Sequence, residues 1–161
     1  MSDYSLKHPT IFHLLEEDAG DFATRYMSLQ ADYPTARIFR LRGAKMRTRQ
    51  AMFDEIGAAL QFPYYFGENW AALHDCLTDL DWARAEDYLL LICDIQLVLD
   101  QEPADVLESL LDALVAANVA WAGSDEQEEA VSFRVVLQAP REGVASAWDR
   151  LVAANYAQPG A

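Results

Sequence analysis

Residues 62–78 read Phe-Pro-Tyr-Tyr-Phe-Gly-Glu-Asn-Trp-Ala-Ala-Leu-His-Asp-Cys-Leu-Thr. Pro63 and Gly67 punctuate an aromatic loop, and Asn69 stands where a side-chain oxygen can cap the helix that follows. At 100° per residue, Trp70, Leu73, Cys76, Leu77 and Leu80 fall on one side of that helix, while Ala71, His74, Asp75 and Thr78 fall on the other. The spacing predicts a core face and a small polar face on one short helix.

Upstream, Thr48 is placed to cap a helix whose Met52, Phe53, Ile56 and Leu60 share a face, and the run from Ala36 to Leu41 is a short β-prone segment closed by Arg42-Gly43. Downstream, Tyr88 to Cys93 is apolar on both alternating faces, the pattern of a strand covered on both sides. Pro103 opens a long helix to about Ala122, with Val106, Leu107, Leu110, Leu111, Leu114 and Val115 on its buried stripe. Gly123 to Glu129 is expected to be a solvated acidic loop, and Val131 to Leu137 a third strand. Strands separated by helices pair in parallel through crossovers. Nearer the ends, a peripheral helix is expected over Asp18–Gln30, with Phe22, Tyr26 and Leu29 in phase. A terminal helix carries Val144, Trp148, Leu151 and Val152, and Pro159-Gly160 is expected to fray.

The chain carries 26 acidic and 12 basic residues, a net of -14, which disfavours DNA and anionic membranes as partners. Half of the basic residues (Arg37, Arg40, Arg42, Lys45, Arg47, Arg49) sit in one segment, where they are solvated or pair with the chain's own acids. From Gln50 to Ala130 there are 18 acids against a single base, Arg84. Such an excess projects a negative field that speeds capture of a cationic partner, although acidity by itself also serves solubility. No export signal and no uncharged stretch near membrane-spanning length is visible, so a cytoplasmic protein is expected. Cys76 and Cys93 read as buried thiols.

The segment from Pro63 to Thr78 closely resembles the signature of the barstar family, the barnase-type ribonuclease inhibitors. The resemblance is carried by Tyr65, Gly67-Glu68-Asn69, Leu73 and Asp75-Cys76-Leu77-Thr78. It implies an α/β, barstar-like fold: a three-stranded parallel sheet packed against helices, with an extra N-terminal segment and a C-terminal helix. The division expected is an N-terminal extension over 1–35, the inhibitor domain over 36–138, and a C-terminal helical extension over 139–161 packed on the same domain. It further implies an intracellular immunity protein, with no catalysis or cofactor of its own, that blocks a basic ribonuclease or ribonuclease toxin one to one, as a monomer. Asp75 would mimic the phosphate, because a ribonuclease must hold a phosphodiester with Arg, Lys and His, and charge-assisted pairs to a carboxylate are strong. Tyr65, Asn69, Ala71, His74, Thr78 and Asp79 complete the expected partner-binding set.

The sequence departs from the best-known member's pattern at three points. An acid there is Ala71 here, a tryptophan is His74, and a glycine is Asp79; these point to a different cognate enzyme. The family's acidic contact on the long helix falls only loosely near Glu102 or Asp105. An alternative keeps the scaffold as an acidic module for a basic toxin or regulator that is not a ribonuclease. Catalysis is disfavoured, since neighbours on a helix diverge by 100° and His74-Asp75 has no companion nucleophile motif. His8 and His13 lack partners at metal-site spacing, and Gly43-Ala-Lys-Met-Arg-Thr is not a phosphate loop.

Overall fold

A computed structural model describes residues 4–123 and 130–159; the acidic stretch expected as a solvated loop therefore falls, apart from Gly123, outside the described residues. The elements in order are β1 (Tyr4–Leu6), β2 (Phe12–Glu16), α1 (Ala19–Asp32), β3 (Ala36–Arg42), α2 (Arg49–Ala59), α3 (Trp70–Asp79), β4 (Asp87–Cys93), α4 (Ala104–Ala122), β5 (Ser132–Ala139), α5 (Val144–Ala153) and β6 (Ala157–Pro159). The central sheet runs β2-β5-β4-β3, with every neighbouring pair parallel. Four strands replace the expected three. The fourth, β2, lies in the segment before Ala36, where Phe12 to Glu16 pair in register with Val135 to Ala139.

Both faces of this sheet are covered, which is what parallel pairing requires. Leu90 and Ile92 of β4 point into the main core with residues of α2, α3, α4 and α5; Leu91 and Cys93 point the other way, against Phe22 of α1. The reading of β4 as a strand covered on both faces holds, with Leu89 half-buried and the rest of Tyr88 to Cys93 buried. The expected end-fraying at Pro159 does not hold: Ala157 to Pro159 pair antiparallel with Tyr4 to Leu6, and Tyr4 stacks on Trp148 at 4.8 Å.

Three helices begin on the caps their sequences offer. Asp18 accepts from Asp21 N at 2.8 Å, Thr48 from Ala51 N at 3.2 Å, and Asn69 from Ala72 N at 2.8 Å. Each satisfies an amide that the first helical turn leaves without a partner. α3 stops at Leu80, which takes a left-handed φ of 46° while its side chain is fully buried. Burial of that leucine outweighs the backbone penalty of a non-glycine residue in this region.

Two members of the basic segment are consumed internally. Arg42 donates to both Glu55 carboxylate oxygens at 2.9 and 2.8 Å, and its own backbone N–H also reaches Glu55 at 3.0 Å. Arg47 makes a bidentate pair with Asp100. Arg42 holds the Glu55 carboxyl below the ordinary carboxylate range, against desolvation, and Arg47 does the same for Asp100. A carboxyl whose folded value is depressed contributes stability above its unfolded value, and loses it as pH falls through the folded one. Stability from urea unfolding should therefore drop on going from neutral pH to below the unfolded carboxylate values near 4. Glu55→Gln should shrink that drop; an unchanged difference between the two pH values would remove Glu55 from the acid limb.

Candidate functional site

The loop between α2 and α3 divides its aromatics by direction. Phe62 and Phe66 turn inward and meet edge-to-face at 4.9 Å; Phe53 of α2 meets Phe66 at 6.0 Å and Trp70 at 5.3 Å. Trp82 closes the base of the cluster through Phe62 and donates its indole N–H to Leu60 O at 2.9 Å. With the inner rings fixed in this way, Tyr64 and Tyr65 are left outside, edge-to-face with each other at 5.8 Å. Of the three residues Tyr64, Tyr65 and Phe66, it is Phe66 that seals the core.

α3 then presents its polar side as the periodicity predicts. Leu73, Cys76 and Leu77 are buried; Ala71, His74, Asp75 and Asp79 are exposed, and Thr78 is half-buried. The Asp75 side chain is 85% exposed, and the imidazole of His74 lies beside it, with Nδ1 to Oδ1 at 3.7 Å. The two side chains come closer than helical divergence suggests, yet at that distance they are not hydrogen-bonded. No Arg or Lys among the described residues pairs with Asp75. Arg84, the sole base between Gln50 and Ala130, is already held by Asp81 at 2.7 Å. Desolvation and then Asp81 push the Asp79 carboxyl above its ordinary range.

Two of the residues singled out from sequence are engaged within the chain. Asn69 spends its oxygen on the cap and donates its amide to Gly67 O at 3.2 Å. Asn69→Ala should cost about 1 kcal/mol, lowering the melting temperature by roughly 2–4 °C, and Asn69→Ser should recover most of it. An unchanged melting curve for Asn69→Ala would deny the cap its weight. The Thr78 hydroxyl donates back to His74 O at 2.9 Å and lies 3.3 Å from Asp75 O, so it faces outward only as an acceptor.

The partner-binding set expected from sequence leaves out Tyr64, which is fully exposed, and Glu68, whose φ of 51° puts it in the left-handed region. Glu68 is reached by Gln50 Nε2 at 3.1 Å, and the same nitrogen reaches Asp54 at 3.1 Å. The Gln50 bridge spans 18 residues and leaves no local signal. Glu102, one of the two loosely placed acids, accepts from Arg49 N at 3.1 Å.

The arrangement offers little to reaction chemistry. Burial pushes both the Cys76 and the Cys93 thiol upward, away from the thiolate a nucleophile needs. Among the described residues no group of three His, Cys, Asp or Glu side chains could hold a metal ion, and no helix is long and apolar enough to cross a membrane. The α/β scaffold holds Ala71, His74, Asp75 and Asp79 of α3 and the two rings of Tyr64 and Tyr65 toward solvent.

A family model described as barstar (barnase inhibitor) matches residues 36–138, from the start of β3 to near the end of β5, more than half of the chain. The chain belongs to the barstar family, whose members are inhibitors and not enzymes. A comparison with curated proteins found no match.

Proposed function

We propose that this chain is an intracellular immunity protein, which blocks the active site of a basic ribonuclease one to one by presenting Asp75 as a phosphate mimic. The observation that carries the reading is the Asp75 carboxylate itself: paired with no Arg or Lys among the described residues, outward on a helix whose opposite face is locked in the core, within a stretch almost free of basic residues. A cationic groove evolved to hold a phosphodiester matches a carboxylate delivered rigidly, because little ordering entropy remains to be lost on binding. In this reading Tyr65 anchors beside Asp75 and Thr78 accepts a hydrogen bond. Ala71 and His74 shape the middle of the contact, Asp79 adds charge at its end, and Asn69 keeps the helix start in place.

The test is an RNA-cleavage assay with barnase and other basic ribonucleases, titrated with the chain and with Asp75→Ala. One-to-one loss of cleavage by wild type, and not by the variant, is expected for at least one enzyme. A second reading is favoured by Ala71 and His74, which stand where the best-known member has an acid and a tryptophan: the same face would then serve a basic partner without nuclease activity. A partner held equally by wild type and Asp75→Ala, with no cleavage of RNA, would select it.

A further inference from the structure

α3 sets two titratable side chains side by side on its outward face, His74 and Asp75. The imidazole is 49% exposed and the carboxylate 85%, with Nδ1 and Oδ1 3.7 Å apart, so both meet whatever covers this face. The other charged groups on the elements around them are acids, or a base already engaged. Asp79 follows on α3 itself, and Asp81 beyond the helix end holds Arg84. Glu68 on the preceding loop accepts from Gln50, and α4, which packs against α3, carries Asp105, Glu108 and Asp112. Among the described residues Asp75 is the only carboxylate within ion-pair distance of the His74 ring.

Imidazole is the side chain whose charge changes between pH 5 and 8, and here that change falls on the pair a basic partner would read. With His74 neutral, the pair presents the single negative charge of Asp75. With His74 protonated, its net charge is zero, and the imidazolium stands near enough to close onto Oδ1 and occupy it. A cationic groove then meets a like charge at the contact and a carboxylate that is partly neutralised. Enclosing an imidazolium among the groove's own cations is costly, so the docked state favours the neutral ring. A group held neutral on docking supports affinity in full above its free-state value, and the affinity is lost as pH falls below that value. We propose that His74 makes the Asp75 anchor proton-sensitive, so that the inhibitor loosens its hold on its basic partner in acid. The proposal rests on the reading of Asp75 as the phosphate mimic.

The experiment measures the inhibition constant of the full chain against the basic ribonuclease that the titration with Asp75→Ala identifies. It compares wild type, His74→Gln and His74→Lys at about pH 7.5 and about pH 5.5, a span across which imidazole charges. Glutamine leaves a polar side chain that does not titrate, and lysine carries its charge at both values. Titrating groups of the enzyme are common to all three chains and cancel in the ratio between them. Wild type should weaken about tenfold more than His74→Gln on going to the acid value. His74→Lys should be weaker than His74→Gln by about tenfold or more already at the neutral value. Thermal melts of the three chains should superimpose at each pH, because the substituted side chain is half exposed, and this separates loss of binding from loss of fold. Equal pH dependence of wild type and His74→Gln, or a His74→Lys chain as tight as His74→Gln, would overturn the proton-sensitive anchor while inhibition itself still stood. Failure of wild type to inhibit any basic ribonuclease at the neutral value would overturn the inhibitor reading, and the proposal with it.

Discussion

Asp75→Ala should raise the inhibition constant by two to four orders of magnitude while leaving the fold untouched. In the free protein the carboxylate is 85% exposed and makes no hydrogen bond among the described residues, so its removal should change stability by no more than about 0.5 kcal/mol. In the complex the same group would be desolvated against the enzyme's phosphate-binding cations. Removing one partner of a buried charge pair costs about 3–5 kcal/mol, because the other charge is left buried and alone, and each 1.4 kcal/mol is a factor of ten in affinity. Asp75→Asn keeps the shape and removes the charge, and should fall close to Asp75→Ala if charge is what the enzyme reads. The measurement is the inhibition constant for RNA cleavage alongside a thermal melt of each variant. A change below tenfold, with the melts superimposed, would mean that Asp75 is a bystander and the anchor lies elsewhere on the face.

α3 could be read closely from sequence because two constraints coincide there. Leu73, Cys76, Leu77 and Leu80 must share the core side, and a capping asparagine sets the phase by fixing the first turn. The doubly apolar run of β4 is similarly explicit, since only a strand covered on both faces tolerates Leu-Leu-Leu-Ile in succession. What escaped sequence reading is held by partners far along the chain. Arg47 and Asp100 are 53 residues apart, and Gln138 reaches Glu17 O across 121. The Thr78 hydroxyl looks free in sequence and is committed to its own helix in the structure. Tyr156, buried in the fold, donates to Asp112 of α4, and desolvation followed by that carboxylate raises its phenol far above the usual range. No periodicity announces a contact of this kind, because it joins a residue after α5 to a helix more than forty positions earlier.

β2 was hidden for a different reason. Phe-His-Leu-Leu-Glu is only five residues long, and its burial does not alternate cleanly, since Leu14 and Leu15 are both half-buried between the two core clusters of an edge strand. Short edge strands take their identity from the neighbour they pair with more than from intrinsic preference. β1 and β6, three residues each, are legible only as a pair.

Phe12→Ala tests whether this first segment is an appendage or part of the cooperative unit. Phe12 is 2% exposed, belongs to the main core, and meets Tyr156 edge-to-face at 5.6 Å. Ile11 beside it is buried, and its carbonyl accepts from Val135 N at 2.9 Å, tying the segment to β5 of the family-matched region. Truncating a buried phenylalanine costs about 3–5 kcal/mol, which in a chain of this size is a fall of roughly 6–20 °C in melting temperature. An appendage docked loosely on a self-sufficient domain would instead melt early and leave the main transition where it was. A single transition shifted downward for Phe12→Ala, followed by both tryptophan fluorescence and far-ultraviolet circular dichroism, is therefore the expected result. Two transitions, with the larger one unmoved, would separate the first 35 residues from the unit that carries α3. One transition is expected because withdrawing β2 would strip a strand from β5 and leave the backbone donors and acceptors of that edge unpaired.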